Sequence, residues 1–428
     1  MTDKAKPSRQ RAEGVNAAKD SGEWKARDEP GTDAPRSEED KASSSSVPDH
    51  GTIKTAFALG GLAGNNAHGA GFLQAALDCG TCPELISCTS GQILWVYRYL
   101  EANPGNSSEP DMLREHLERD VNEFEKTPWR DLNLMTANMF GKASIFRPAR
   151  HEYFLDLAKN TMNAVERAIK EWPKLFVMRE FMSGLPARTL VPLFPKEFFE
   201  DISDAFNRSD IGIMFNSYDP VQGMEIVHLN PRAQELLDRN PGDRSRHRSR
   251  TLYKRITPEY VRNGLWLYQY GFEDCAILDG AFFRQIILWE LKQAEDIYVI
   301  RPIKYKWIGA LPTSYIDMED MKTEIAFNGA YQGERDKLLL MQHLRERVEE
   351  SIADPDIKKK ILNDPYINEA TLHEIEIETQ ESFYDYVFED VRVFERAREL
   401  GRMALTGQAQ PDVYAIDSGL PSRSAAAL

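Results

Sequence analysis

Three stretches of this chain carry residue types whose spacing suits chemistry. The first is Glu84-Leu-Ile-Ser-Cys-Thr-Ser-Gly-Gln-Ile-Leu-Trp95. An apolar β-like run, Leu85-Ile86, leads into small residues centred on Ser90, and the helix-like run Ile93 to Leu100 follows at once. A serine at the apex of a strand–turn–helix is a nucleophile elbow. It lifts the hydroxyl above the sheet edge, and the helix N-terminus behind it favours developing negative charge. The usual pattern G-x-S-x-G reads Cys88-Thr-Ser-Gly-Gln92 here. Side chains at positions 88 and 92 are expected to push the helix away from its strand or to tilt the serine, with Gly91 relieving part of the crowding.

The second stretch, Gly60-Gly-Leu-Ala-Gly-Asn-Asn-Ala-His-Gly-Ala-Gly71, has five glycines in twelve residues between a strand, Ile53 to Leu59, and a helix, Phe72 to Leu77. Converging backbone N–H groups there suit a phosphate cradle or an oxyanion hole, and a plain close-packed turn fits equally. There is no Gly-Lys-Ser/Thr ending, and Asn66 breaks a dinucleotide fingerprint. The third stretch, Cys275-Ala-Ile-Leu-Asp-Gly-Ala-Phe-Phe283, reads as an apolar strand ending in Asp279-Gly-Ala. A carboxylate at that end of a strand lies where open α/β sheets bind ligands. Cys79-Gly-Thr-Cys82 has redox-motif spacing but follows a helix, so helix-dipole activation of a thiolate is not implied, and a lone pair of cysteines does not make a zinc site.

The elements around these stretches alternate. Strands are expected at 53–59, 85–86, 211–216, 224–229, from Cys275 to Asp279-Gly280, and at 297–303. Ile211 to Asn216 and Met224 to Leu229 form a hairpin through Tyr218 to Gly223. Helices are expected at 111–125, 151–172, 195–202, from Thr257-Pro258 onward, and at 285–293. Residues about 103–205 read as a helical insert, with apolar pieces Trp129 to Phe146 and Leu175 to Met178 suited to capping a site. Alternation from 52 to 308 predicts an α/β class with a mainly parallel central sheet. Residues 309–406 read as an acid-rich helical C-terminal extension with helices near 337–353 and 381–405, and 407–428 as a flexible tail. Residues 1–50 hold one aromatic, Trp24, and are expected to be disordered.

Composition narrows the class of function. The 428 residues carry a formal charge of -15, which disfavours nonspecific nucleic-acid binding. Within that acidic chain, Arg239 to Arg255 is a basic island that reads as a solvated loop or as a contact for an anionic head group or an acidic partner. Four cysteines are too few for a disulfide scaffold. No apolar run is long enough to span a membrane, and the first residues lack the apolar core of a secretory signal. A cytoplasmic setting is the default expectation.

A glycine-rich turn after the first strand, a serine elbow after the second and Asp279-Gly280-Ala281 far downstream together resemble the patatin-like phospholipase family, over roughly residues 52–308. That family is marked by a G-G-G-x-R/K-G loop, G-x-S-x-G and D-G-G/A. Here Asn65 and Asn66 stand at the basic position and the following glycine. The resemblance implies a three-layer patatin-like fold and a Ser90–Asp279 dyad, with no histidine, metal or cofactor. Ser90 would attack a lipid or small ester and Asp279 would act as its base. Backbone N–H groups at Gly60, Gly61 and Leu62 would hold the oxyanion, typically ~3–4 kcal/mol per donor. Peripheral contact with a membrane surface is compatible, and the oligomeric state stays open. The alternative is a patatin-fold regulatory or interaction protein with weak or lost hydrolysis.

Overall fold

A computed structural model of the chain describes residues 53–61, 66–102, 111–125, 146–171, 184–237, 251–272, 275–301, 311–362, 370–377 and 391–408. The expectations for residues 1–50, Leu62, Asn65, the apolar pieces at 129–145 and 175–182, the basic island at 239–250 and the tail from 409 lie outside the described residues.

In chain order the elements are β1 (Ile53–Leu59), α1 (Ala67–Cys79), β2 (Leu85–Cys88), α2 (Gln92–Glu101), α3 (Met112–Glu125), β3 (Phe146–Pro148), α4 (Arg150–Glu171), β4 (Leu190–Pro192), α5 (Lys196–Arg208), β5 (Gly212–Asp219), β6 (Met224–Leu229), α6 (Pro231–Leu236), β7 (Thr251–Arg255), α7 (Pro258–Gly264), β8 (Leu278–Asp279), β9 (Ala294–Arg301), α8 (Tyr315–Ser351), α9 (Pro355–Leu362), β10 (Thr371–Glu376) and α10 (Val391–Leu405). Local chemistry sets several boundaries. Thr257 caps α7 by accepting from the Tyr260 N–H, with Pro258 at the first helical position, and Asn230 caps α6 in the same way through Ala233. Gly80, at φ 64°, ends α1 in the left-handed conformation.

The sheet runs β10-β9-β1-β2-β5-β6-β7, with β8 added against β5. Pairing is mainly parallel; β5 meets β6 and β8 antiparallel. A separate two-stranded ladder joins β3 to β4. Side chains alternate across the central strands, as the period of two demands. Phe57, Leu59, Ile86, Ile213, Phe215 and Ile300 face a layer built from α1, α2, α3, α5, α7 and α10. Ala56, Ala58, Leu85, Met214, Ile297 and Val299 face the other way, against α6, α8 and the segment Ile286 to Leu291. The molecule is thus an α/β protein with helices on both faces of its sheet.

Several expectations are corrected. The strand expected from Cys275 to Asp279-Gly280 is only Leu278–Asp279, ending where Gly280–Phe282 turns into a 3-10 helix capped by Asp279. The helix over 285–293 is absent apart from the single 3-10 turn Trp289–Leu291. Ile286, Ile287 and Leu288 are instead buried, with the Ile287 carbonyl accepting from the Ser87 hydroxyl at 2.7 Å and the Trp289 N–H donating to Glu334. The insert is not all cap: α3 and α5 enter the main helical layer through Leu113, Leu117, Ile202 and Phe206. Residues 309–406 are neither purely helical nor an appendage. They supply α8 and α10 to the two layers and β10, which pairs in parallel with β9 from Thr371↔Asp296 to Glu376↔Arg301. Finally, β7 arises at the end of the basic island, where Thr251, Leu252 and Tyr253 fit the sheet beside β6.

Candidate functional site

Ser90 stands just past the carboxyl end of β2, a strand flanked on both sides. Its φ of 59° is in the left-handed region, where a non-glycine residue costs on the order of 1–3 kcal/mol and where such strain clusters at functional sites. The Gln92 N–H donates to the Thr89 carbonyl at 3.2 Å and the Ile93 N–H to Ser90 O at 3.0 Å, so the turn runs directly into α2 with Gly91 as N-cap. Ser90 is 3% exposed.

The glycine-rich turn lies directly on this elbow. A Cβ on Gly61 would sit 1.8 Å from the Thr89 carbonyl oxygen and 2.6 Å from Ser90 Cβ, so only glycine fits there. Gln92 does not push α2 away, contrary to the expectation from its side chain. The space comes from the opposite helix: a Cβ on Gly69 would be 2.0 Å from Gln92 Oε1. The fully buried Gln92 side chain lies over that glycine, with its Nε2 2.9 Å from His68 Nε2 and donating to the Gly60 carbonyl at 3.4 Å. His68 Nε2 lies 2.8 Å from the same carbonyl, so a buried polar cluster now links the turn, α1 and α2. Cys88 is small enough to pack in the core, its Sγ 3.6 Å from Met214 O, and burial pushes its thiol far above the usual range.

The glycine donors need a correction. The Gly60 N–H donates to Ile300 O at 3.2 Å and the Gly61 N–H to Gln285 O at 3.4 Å, so both are engaged within the fold and not turned toward a ligand. Leu62 lies outside the described residues. The Gly91 N–H lies beside Ser90 at the start of α2, whose first three N–H groups are taken up by the Thr89, Ser90 and Gly91 carbonyls.

Asp279 comes to the same place from β8. Its backbone pairs with Ser217 of β5, its N–H donates to Trp266 O at 2.9 Å, and its Oδ1 accepts from the Ala281 N–H at 2.9 Å. Gly280 is required next to it, because a Cβ there would fall 2.2 Å from the Asn216 side chain. The carboxyl is 1% exposed, and burial pushes its pKa up to about 7, opposed by hydrogen bonding from the Ser90 hydroxyl and then by the Ala281 N–H. Asp279 pairs with Ser217 of β5, two residues past Phe215, the partner of Cys88, so the strand register sets it beyond the end of β2 beside Ser90, 189 positions away in the chain. A buried carboxyl near neutrality is poised to take and return a proton.

Residues that sequence reasoning passed over complete the surroundings. Tyr270 follows a run of aromatics, Trp266-Leu-Tyr-Gln-Tyr270, which was the available signal. Its hydroxyl is buried without a hydrogen-bond partner among the described residues, and burial together with the charge of Asp279 holds the phenol protonated. Below the Asp279 turn, Arg284 is fully enclosed and binds Glu225 at 2.7 Å, Glu290 at 2.7 Å and Glu334 of α8 at 3.1 Å. Asn216 joins this cluster to the turn by donating to Glu225 and to the Arg284 carbonyl. His228 is buried against Ser217 Oγ at 2.8 Å, and desolvation lowers its pKa to about 3, so it is neutral and a weak base.

Cys79 and Cys82 stand at and beyond the end of α1, both thiols free and both held above their usual pKa mainly by burial, opposite to an activated redox thiolate. Among the described residues no helix is long and apolar enough to cross a membrane, and no group of three or more His, Cys, Asp or Glu side chains is arranged to hold a metal ion. No protein-family model matches the chain, and no curated protein matches it.

Proposed function

We propose that this protein is a patatin-like acyl hydrolase that cleaves carboxylic esters of lipids or small acyl compounds. The single observation that carries the reading is the meeting of a strained elbow serine with a buried aspartic acid whose pKa is near 7. The mainly parallel sheet with helices on both faces is compatible with the fold that the motif order implies. In the proposed reaction Ser90 Oγ attacks the ester carbonyl while Asp279 accepts its proton. The tetrahedral intermediate then collapses, the bond to the alcohol oxygen breaks, and Asp279 returns the proton to that oxygen. Water repeats the sequence on acyl-Ser90 and releases the acid. The Gly91 N–H, with the dipole of α2 behind it, stabilises the oxyanion.

The engagement of the Gly60 and Gly61 N–H groups within the fold favours a second reading, a protein of the same fold that regulates or binds with little catalysis. A fluorophosphonate probe and a short p-nitrophenyl ester separate the two. Hydrolysis with Ser90 labelled is expected, both lost in Ser90→Ala, and hydrolysis lost in Asp279→Asn. Absence of labelling and turnover in the wild-type chain sinks the hydrolase reading, and wild-type turnover in either variant sinks the dyad.

A further inference from the structure

We propose that Tyr270 is a third catalytic residue, whose hydroxyl holds the water that attacks acyl-Ser90 by donating to that water's oxygen beside Asp279. The inference rests on the hydrolase reading above and deepens it by assigning a residue to the second half-reaction. The Tyr270 ring is well housed in a buried apolar cluster with Phe146, Leu190, Leu267 and Leu278, and Trp266 meets it edge-on at 5.3 Å. A phenylalanine would fill that space as well, so packing does not account for the oxygen. Among the described residues, the other buried tyrosines all have hydroxyl partners. Tyr99 donates to Thr81 O at 3.4 Å, Tyr253 to Glu290 at 3.3 Å, and Tyr331 to Glu374. The Tyr270 hydroxyl has none. A buried hydroxyl left without a bond costs about 1–3 kcal/mol, and each such group in a native fold calls for a reason.

The reason lies in its neighbour. Asp279 is tied to the same cluster twice: its N–H donates to Trp266 O at 2.9 Å, and Leu278, the residue before it in β8, belongs to the cluster. The two side chains are close enough for the carboxylate charge to act on the phenol. Together with burial, that charge keeps the phenol protonated, so its O–H is a standing donor. The two halves of the reaction differ in what they require. In acylation the nucleophile is Ser90, tethered by the chain and already bonded to Asp279. In deacylation the nucleophile is a free water, which a single bond to Asp279 would leave free to turn. A water that gives one hydrogen to the Asp279 carboxylate and accepts the Tyr270 O–H keeps a lone pair for the acyl carbon. As its oxygen bonds to that carbon, its proton passes to Asp279. The bond to Ser90 Oγ then breaks, and Asp279 returns the proton to that oxygen. Tyr270 keeps its own proton throughout.

The test is Tyr270→Phe in the full chain, with p-nitrophenyl acetate as substrate and the two half-reactions measured separately. Acylation, read as first-turnover release of p-nitrophenolate and as the rate of fluorophosphonate labelling, is expected to stay within about twofold of wild type. Deacylation, read as the decay of acyl-Ser90 by rapid-quench mass spectrometry, is expected to slow about tenfold or more. Acyl-Ser90 should therefore accumulate in the variant, with a burst of p-nitrophenolate ahead of the steady state. Thermal unfolding should be unchanged or raised, since the variant removes an unpartnered hydroxyl. A hydroxyl with a purely structural role would lower both half-reactions together or neither. Equal loss in both, or loss in neither, overturns the role of Tyr270 and leaves the Ser90–Asp279 dyad standing. A wild type that neither labels nor turns over overturns the hydrolase reading, and the role of Tyr270 with it.

Discussion

Asp279 is useful to chemistry because it is costly to the fold. Its carboxyl is pushed from 3.8 to about 7 chiefly by burial, so the charged form is disfavoured inside the protein. A folded-state pKa above the unfolded one means the folded protein binds the proton more tightly. That contribution to stability is complete below about pH 4 and is lost as pH rises through 7. A base must be deprotonated to act, so kcat/KM for an ester is expected to rise with unit slope through about pH 7 and then level off. Asp279→Asn should remove the cost of the buried charge. Denaturant titration should find it on the order of 2–4 kcal/mol more stable than wild type at pH 9, and no more stable at pH 4. Equal stability of the two proteins at pH 9 would show that the carboxyl is not held up.

The contact of α1 with α2 depends on Gly69 giving way to Gln92. Gly69→Ala puts a methyl where the Gln92 amide lies, and Gln92 cannot simply swing out, being fully buried beside His68 and Gly60. Urea unfolding should register a loss of about 1–3 kcal/mol. The double variant Gly69→Ala/Gln92→Gly should recover part of that loss, whereas strictly additive losses would refute the pairing. The turn carrying Asp279 rests in turn on Arg284, whose guanidinium faces Glu225, Glu290 and Glu334. Arg284→Met would leave three buried carboxylates without that cation. A loss on the order of 3–5 kcal/mol is expected in the same assay, and a loss under 1 kcal/mol would mean the carboxylates are neutralised by another route.

Because β10 continues the sheet beside β9, the end of the chain completes the molecule as a whole. Buried Tyr331, Leu338 and Glu334 of α8 close one layer, and Phe394, Ala397 and Leu400 of α10 close the other. A chain cut after residue 308, the boundary that the motifs alone would choose, would expose both layers and turn β9 into an open apolar edge. It is expected to aggregate or bind a hydrophobic dye, where the full chain does neither. A soluble, cooperatively unfolding 1–308 fragment would overturn this view of the architecture.

The elements around Ser90 were legible because they are local. The apolar run Leu85-Ile86, the small residues of the turn and the helix-forming Ile93 to Leu100 each report on their own few neighbours, and so do Thr257-Pro258 and Asn230-Pro231 at their helix starts. Segments whose conformation is settled by distant partners were not legible. Gln285 to Leu291 has a helical composition, yet it is held out of a helix by Ser87 and by Glu334. Residues Thr371 to Glu376 read as part of an acid-rich helical region, yet they form a strand because the β9 edge needed a partner. The same division runs through the site. A serine, an Asp-Gly-Ala and a glycine-rich turn are written in the chain itself. That Gly69 makes room for Gln92, that the Gly60 and Gly61 N–H groups are taken up by Ile300 and Gln285, and that burial brings Asp279 near neutrality follow from three-dimensional packing alone, since each depends on atoms far apart in sequence.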